Sequence, residues 1–300
     1  MLQKPHSRYH HLYVYYLDRA DIELKPDPDL IGIWIEDECA ILFFHQPREA
    51  CVRDICRQQG ARIIYQADLE YRDWEAGVDI TSFATSYLSV SPVWERQQAV
   101  TRGRQPVILD PSVIFGSGFH ATTRLCLEVL EMLMRESGER IESVLDLGTG
   151  TGLLAIAAAK LGAVRVVGID NNPLAISVAQ RNVELNGCEG RVEILRHDLH
   201  QSLPAMDYDL VITNLYKGLL IRLFEHSLFW KPRFHLVSGF IPGMEADLLA
   251  ALPKGLGMPV RRSRDQWRLW LLEGKHTTGS GTLLPSRPDT GREEVKGMPG

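Results

Sequence analysis

Short apolar segments separated by polar turns divide the chain into regions, and the first region alternates strands with one helix. Strand-like segments cover residues 9–17, 31–35, 40–44 and 61–71. A helical pattern that Pro47 opens covers residues 47–59. This order predicts a small α/β unit over residues 1–71, which we call the N-terminal unit.

From residue 106 to about 274, apolar strands alternate with helical patterns. The predicted strands lie near 143–147, 165–169, 191–195, 208–213, 234–238 and 267–272. This alternation predicts an α/β domain over 106–274, with a doubly wound, mostly parallel sheet covered by helices. Residues 72–105 are less regular and predict a linker, whereas 275–300 lack periodicity and predict a disordered tail.

A glycine turn between two predicted strands is the strongest chemical feature of this domain. Residues 144–152 read Val-Leu-Asp-Leu-Gly-Thr-Gly-Thr-Gly, and the next strand ends at Asp170. Glycines let the backbone bend tightly beside a ligand, while the helix predicted at 153–161 packs behind the turn. Asp170 is placed to accept hydrogen bonds from ribose hydroxyls. A dinucleotide site would want a glycine at Leu153 and has no use for Asp146.

The turn residues Asp146, Gly148, Gly150 and Gly152 form the pattern Asp-x-Gly-x-Gly-x-Gly. This pattern resembles motif I of class I S-adenosylmethionine-dependent methyltransferases. The resemblance implies a Rossmann-like methyltransferase domain with S-adenosyl-L-methionine as cofactor. In that family the turn approaches the aminoacyl part of a sulfonium ligand, whose positive charges favour a nearby carboxylate. A dehydrogenase is the less favoured interpretation.

A second motif precedes the glycine turn. Residues 109–123 read Leu-Asp-Pro-Ser-Val-Ile-Phe-Gly-Ser-Gly-Phe-His-Ala-Thr-Thr, which no generic requirement of the fold explains. Together the two motifs resemble the ribosomal protein L11 methyltransferases, along most of residues 72–274. The resemblance implies a protein N-methyltransferase that acts on lysine and α-amino groups of ribosomal protein L11. It also implies that the N-terminal unit recognises the protein substrate.

The resemblance assigns cofactor contacts to individual positions. They are Thr123 in the loop, Asp146, Gly148, Gly150 and Gly152 in the turn, and Asp170, Asp198 and Asn214 after successive strands. Thr123 can also cap the following helix, and capping without ligand contact is the alternative for this residue. Asp198 lies where such enzymes often bond the adenine amine, and a solvated loop acid is the alternative.

The candidates for the transfer step are Asn214, His120 and Phe115. We expect this step to be a single in-line displacement that needs no nucleophilic residue. Asn214 closes the strand at 208–213, and its amide can accept from a substrate amine. His120 is a candidate proton acceptor, although a hydrogen bond that shapes the loop is the favoured role. Phe115 and Phe119 are expected to cover the cofactor or the substrate chain.

Residues 214–218 read Asn-Leu-Tyr-Lys-Gly. The L11 family usually has a small apolar run where Tyr216 and Lys217 fall, so the acceptor preference is open at this point. Tyr216 could wall an amine pocket by a cation–π contact, whereas an inward lysine would repel an ammonium substrate. We favour an outward-pointing Lys217 at the start of the next helix.

Composition narrows the function classes further. The 300-residue chain has a formal net charge of −5, which argues against holding nucleic acid by bulk electrostatics. Its five scattered cysteines lack metal-ligand spacing, so we expect no metal and reduced thiols of a cytoplasmic protein. No stretch approaches the roughly 20 apolar residues of a membrane span. The alternatives are a methyltransferase of another protein, a small molecule or RNA, and a non-catalytic cofactor-binding module.

Overall fold

The computed structural model describes residues 10–36, 38–74, 80–98 and 103–274, so the predicted tail at 275–300 lies outside it. The first elements are β1 His11–Leu17, β2 Leu30–Glu36, β3 Cys39–Phe44, α1 Glu49–Gln59 and β4 Ile63–Glu70. They confirm the four strands and the helix predicted here, and every observed start and end lies within two residues of the predicted one. The strands form an antiparallel sheet in the order β2-β3-β1-β4.

The two faces of this sheet bury different clusters because side chains alternate along a strand. On β1, Tyr15 and Leu17 pack in the cluster that Val52 of α1 shares. Leu12 and Val14 lie on the other face, in a cluster that also includes Leu174 of the second domain. The N-terminal unit therefore buries one face against its own helix and the other against the rest of the chain.

Residues 71–109 hold short elements. They are α2 Tyr71–Trp74, β5 Phe83–Ala84, β6 Leu88–Pro92, a 3-10 helix at Val93–Gln98 and β7 Gln105–Leu109. β6 pairs with β5 antiparallel and with β7 parallel. Leu88, Val90 and Val107 share the core cluster of the second domain. The division of the chain at 72 and 106 stays a prediction, and β6 and β7 pack with the domain that follows.

The second domain contains a seven-stranded sheet in the order β10-β9-β8-β11-β12-β14-β13. Its elements are α3 Ala121–Glu131, β8 Ser143–Leu147, α4 Leu153–Leu161, β9 Arg165–Asp170, α5 Pro173–Leu185, β10 Val192–Arg196, β11 Leu210–Asn214, α6 Lys217–Glu225, β12 Phe234–Phe240, α7 Glu245–Ala251, β13 Val260–Arg264 and β14 Trp267–Glu273. The first five strands of the order are parallel, and β14 is antiparallel to both neighbours. The predicted doubly wound, mostly parallel sheet is confirmed.

Helices cover both faces of this sheet. On one side α4 buries every residue except Lys160, which explains its almost continuous apolar sequence. On the other side Leu219, Leu220 and Leu223 of α6 pack over the sheet. β13 was not predicted, since its sequence Val-Arg-Arg-Ser-Arg has no apolar alternation. Within the described ranges, no helix has both the length and the apolar character needed to cross a membrane.

The strand order reverses between β8 and β11, because their chain connections leave on opposite sides. In open α/β sheets a crevice forms at such a point, at the carboxyl ends of the strands. The glycine turn (residues 146–152) follows β8, and Asn214 ends β11, so both lie at this crevice. The motif loop (residues 109–120) crosses the same edge.

Buried polar contacts fasten the motif loop to the glycine turn. Asn182 of α5 accepts a hydrogen bond from the N–H of Asp110 at 2.8 Å. Its Nδ2 donates to the carbonyls of Asp110 and Thr151, at 2.9 and 2.8 Å. Arg181 donates to the buried Asp110 carboxylate at 2.8 Å. One turn of α5 therefore fixes both segments that form the crevice.

The N-terminal unit and α2 hold the motif loop from the opposite side. The Tyr71 hydroxyl donates to the carbonyl of Ser112, and Trp74 Nε1 donates to the carbonyl of Val113 at 3.1 Å. Leu174 of α5 packs against the backbone at Gly32 of β2. The loop is thus held between the two parts of the molecule.

Asp146 is a buried carboxyl beneath the glycine turn. It accepts a hydrogen bond from Thr149 Oγ1 at 2.7 Å. Burial raises its pKa to about 7, with a smaller contribution from the nearby Asp170, although the Thr149 hydrogen bond opposes the rise. The ligand-free protein therefore keeps a proton on Asp146 at mildly acid pH.

Asn182→Ala is expected to lower the free energy of unfolding by about 2–4 kcal/mol, because buried backbone groups of Asp110 and Thr151 lose their partners. Urea denaturation measures this loss. Glu184→Ala, an exposed change on the same helix, should cost less than about 0.5 kcal/mol. Equal effects of the two substitutions would contradict the role of Asn182.

Asp146→Asn is expected to remove a pH dependence of stability. Because the folded-state pKa lies above the unfolded value, the wild-type chain loses stability as pH rises from about 4 to about 7. The full loss corresponds to about 4 kcal/mol. Denaturation without ligand at pH 5 and pH 8 measures this effect. The free energy of unfolding of the variant, relative to that of the wild type, should be higher at pH 8 than at pH 5. A constant difference between the two proteins would contradict the raised pKa.

Candidate functional site

A cleft of about 630 Å³ lies at the crevice. The glycine turn, the ends of β9 and β11 and the motif loop contribute to its wall. β2 of the N-terminal unit and β14 also contribute, through Trp34 and Trp267. The site therefore draws on segments from both parts of the chain.

The glycine turn gives this cleft its floor. Gly148 and Gly150 line it, with φ angles of +75° and +54°. A Cβ on Gly150 would lie 2.4 Å from the carbonyl oxygen of Phe115, and one on Gly148 would lie 2.4 Å from Leu215. A larger residue at Gly150 would therefore force the turn and the motif loop apart, and one at Gly148 would displace the Leu215 side chain. Gly152 lies deeper, at the N-terminus of α4, and does not line the cleft.

Asp170 faces the cleft at the end of β9, as predicted. Its Oδ2 accepts from the N–H of Gly150 at 3.1 Å, and its Oδ1 accepts from the N–H of Asn172 at 3.0 Å. Burial raises the pKa of this carboxyl, against the opposing effect of these N–H donors. Asp146 lies behind the turn and does not line the cleft, so the turn separates its carboxyl group from any ligand in the cleft.

Asp198 also lines the cleft, after β10. It accepts from the N–H of His200 and from Gln201 Nε2, both at 2.8 Å. The His200 hydrogen bond is the main cause that lowers the pKa of Asp198, so its carboxyl is ionised at neutral pH. This geometry is a loop turn at the cleft wall and is compatible with both interpretations of Asp198.

Asn214 ends β11 and lines the cleft. Its Nδ2 donates to Thr123 Oγ1 at 3.4 Å, which leaves Oδ1 as the acceptor that the amide can present to a substrate. The prediction that Thr123 caps the helix is wrong. α3 begins at Ala121 with His120 as its N-cap, so Thr123 lies inside the first turn, and Thr122 lines the cleft instead.

His120 lines the cleft and caps α3. Its Nδ1 accepts from the N–H of Thr122 at 3.4 Å and lies 2.8 Å from Thr122 Oγ1. Burial lowers the pKa of the ring, so it is neutral at pH 7. Phe115 and Trp267 pack edge-on against it, with ring centroids 5.1 and 4.7 Å away.

The two motif-loop phenylalanines point in different directions. Phe115 lines the cleft and is 48% exposed. Phe119 packs edge-on against Phe83 with centroids 5.7 Å apart, and it does not line the cleft. The expectation that Phe119 covers the ligand is therefore wrong. Arg124 holds this aromatic pair in place from above the Phe83 ring, 3.4 Å from its centroid.

Tyr216 lies at the cleft wall as the N-cap of α6 and is 58% exposed. Its hydroxyl lies 2.9 Å from His200 Nε2. Lys217 pairs with Asp247 at 2.7 Å and is not a lining residue, which agrees with the outward orientation that the sequence favoured. The ammonium of Lys217 therefore does not repel a cation inside the cleft.

The charge of the cleft suits a positively charged ligand. Asp170 and Asp198 line it, with Asp146 buried behind, and no lysine or arginine is among the described residues of its wall. A pyrophosphate would meet carboxylates there without a compensating cation, whereas an ammonium or sulfonium group would be attracted. The described residues also contain no group of three or more His, Cys, Asp or Glu that could hold a metal ion.

Sequence reasoning missed several residues of the wall. Trp34 comes from the N-terminal unit, Trp267 from β14 and His200 from the loop after β10. None of the three belongs to the motifs that the sequence singled out. They meet the motif residues only through tertiary packing, so local pattern carries no signal for them.

The family model described as "Ribosomal protein L11 methyltransferase (PrmA)" matches residues 67–274. A ribosomal protein L11 methyltransferase from Pelotomaculum thermopropionicum is 45% identical over 185 residues, which cover 61% of this chain and 58% of the relative. One from Chloroflexus aurantiacus is 38% identical over 187 residues, covering 54% and 56%. The chain thus matches little more than half the length of these relatives.

A solved structure of a ribosomal protein L11 methylase from Lactobacillus delbrueckii subsp. bulgaricus shares the fold, with a TM-score of 0.56 and 23% identity. It covers 65% of this chain and 100% of the solved chain. The family match spans more than half of the residues and includes both the motif loop and the glycine turn. This chain therefore belongs to the ribosomal protein L11 methyltransferase family.

Proposed function

We propose that this chain is an S-adenosylmethionine-dependent protein N-methyltransferase that acts on lysine and α-amino groups of ribosomal protein L11. The observation that carries the proposal is the cleft itself. Its wall combines the glycine turn with acidic side chains, which lie within the region that the family model matches, and it has no lysine or arginine among its described residues. The two named relatives are L11 methyltransferases, which supports the same acceptor.

The residues present fit a sulfonium nucleoside. Gly148 and Gly150 leave room for a ligand to approach the backbone, and Asp170 offers its carboxylate to ribose hydroxyls. Asp198 would accept a hydrogen bond from the adenine amine, while Gly152 and Asp146 hold the turn in shape from behind. Bound S-adenosyl-L-methionine would supply an activated methyl group, so the protein needs no nucleophile of its own.

The chain's own residues then orient the acceptor amine. Asn214 Oδ1 accepts from that amine and aligns its nitrogen, while Thr123 fixes the amide through Nδ2. Phe115 excludes water from one side of the cleft. His120 acts as a positioning residue. Its Nδ1 already accepts a hydrogen bond from the N–H of Thr122, and a proton on Nδ1 would break this helix-capping bond. No direct contact with nucleic acid or membrane is part of the proposal.

Asp170→Asn is expected to weaken S-adenosylmethionine binding by about tenfold to a hundredfold, because a charged acceptor for the ribose is lost. Isothermal titration calorimetry measures this change. Glu193→Gln is the matched control, since Glu193 is an exposed carboxylate on the neighbouring β10 and does not line the cleft. Equal binding by the two variants would contradict a cofactor role for Asp170.

Methyl-labelled S-adenosylmethionine, incubated with the purified chain and unmethylated L11, is expected to label L11. Adding an undermethylated lysate and separating protein, RNA and small molecules tests the acceptor class. The label on L11 should fall at least tenfold with Asp170→Asn at limiting cofactor and persist with Glu193→Gln. Label confined to RNA or small molecules would refute a protein acceptor. Cofactor binding without any transfer would indicate a binding module.

A further inference from the structure

A second cavity of about 310 Å³ lies beside the cleft. Trp34, Phe115 and His120 line both spaces, so these three side chains form their common wall. Trp74, Val113, Gly116 and Ser117 also line the second cavity. A ligand in the cleft and a side chain in the second cavity would therefore meet at this shared wall.

The aromatic wall is held rigidly. Trp74 Nε1 donates to the carbonyl of Val113 at 3.1 Å, which fixes its ring against the motif loop. Trp34 packs edge-on against Trp74 with ring centroids 6.4 Å apart, and Phe43 also packs edge-on against Trp74, with centroids 5.0 Å apart. Trp34 is thus seated on a fixed neighbour and does not need ordering when a ligand arrives.

The chemistry of the wall selects its occupant. Among the described residues that line the second cavity, none carries a formal charge, since burial keeps His120 neutral by lowering its pKa. Indole and phenyl faces attract ammonium groups, and they attract methylated ones readily because those are weakly hydrated. The same faces bury an aliphatic chain. A lysyl side chain has both parts.

We propose that the second cavity is the acceptor channel for a lysyl side chain and that Trp34 is its specificity-determining residue. The stem would lie against Trp34 and Trp74 inside the cavity, and its amine would reach the cleft beside Phe115 and His120. This inference rests on the proposed function. It adds that the N-terminal unit supplies part of the acceptor site itself, in addition to any docking of the protein substrate.

Calorimetry with Nα-acetyl-Nε-trimethyllysine amide tests the channel without methyl transfer. Wild-type protein and Trp34→Phe should bind the probe, and Trp34→Leu should bind it about tenfold more weakly. Ile33→Ala is the matched control, because Ile33 directly precedes Trp34 in β2 and packs on the opposite face of the sheet. Equal weakening by Trp34→Leu and Ile33→Ala would overturn the proposal.

Competition on the wild-type protein gives a test that does not depend on a variant. Saturating S-adenosylhomocysteine should leave probe binding in place, because the two ligands occupy neighbouring spaces. Displacement of the probe would put it in the cofactor cleft and overturn the proposal, as would wild-type protein that does not bind the probe.

Kinetics separate this inference from the proposed function. With labelled cofactor and L11, Trp34→Leu should raise the KM for L11 about tenfold, leave the cofactor affinity unchanged, and be rescued by Trp34→Phe. Wild-type protein that methylates nothing would refute the proposed function, while the probe would still report on the cavity. Active wild-type protein with an unchanged KM in Trp34→Leu would refute the channel alone.

Discussion

The backbone contact between the motif loop and the glycine turn is the constraint on which the site depends. The N–H of Thr151 donates to the carbonyl of Phe115 at 3.1 Å, and Thr151 Oγ1 donates to the carbonyl of Gly116 at 2.7 Å. These bonds bring two chain segments so close that Gly150 has no room for a side chain. Because Asn182 fixes both segments from behind, the cleft is shaped before any ligand binds.

The same close packing makes the electrostatics of the cleft costly without a ligand. Asp170 lies near enough to Asp146 that its carboxylate raises the cost of ionising Asp146, and burial raises the pKa of both groups. A cationic ligand would offset that cost by supplying the missing positive charge. The acids thus favour a sulfonium or ammonium ligand over a phosphate. Hydrogen-bond geometry alone does not distinguish these ligands.

The sequence predicted those parts of the site that lie within continuous motifs. Gly148, Gly150, Asp170, Asp198 and Asn214 all reach the cleft, because strand ends of a parallel sheet meet at one edge. The sequence did not predict how individual side chains of these motifs are oriented. His120 caps α3 in place of Thr123, and Phe119 turns away to Phe83, since both outcomes depend on backbone angles and on packing partners remote in sequence.

In the N-terminal unit, the sequence pattern gives least information about the cleft, because tertiary packing decides which of its residues reach the cleft wall. Trp34 lies outside residues 67–274, which the family model matches, yet it lines the cleft beside Phe115. Tyr71 and Trp74 hold the motif loop that positions Phe115, so movement of the first sheet would change the cleft wall directly. Under the proposed function, this sheet would alter which acceptor side chain fits, while the glycine turn and the strand ends would keep the same contacts with the cofactor. Under the proposed function, Trp34 would act on acceptor choice and Asp170 on cofactor binding, so substitutions at these two residues would separate the two effects.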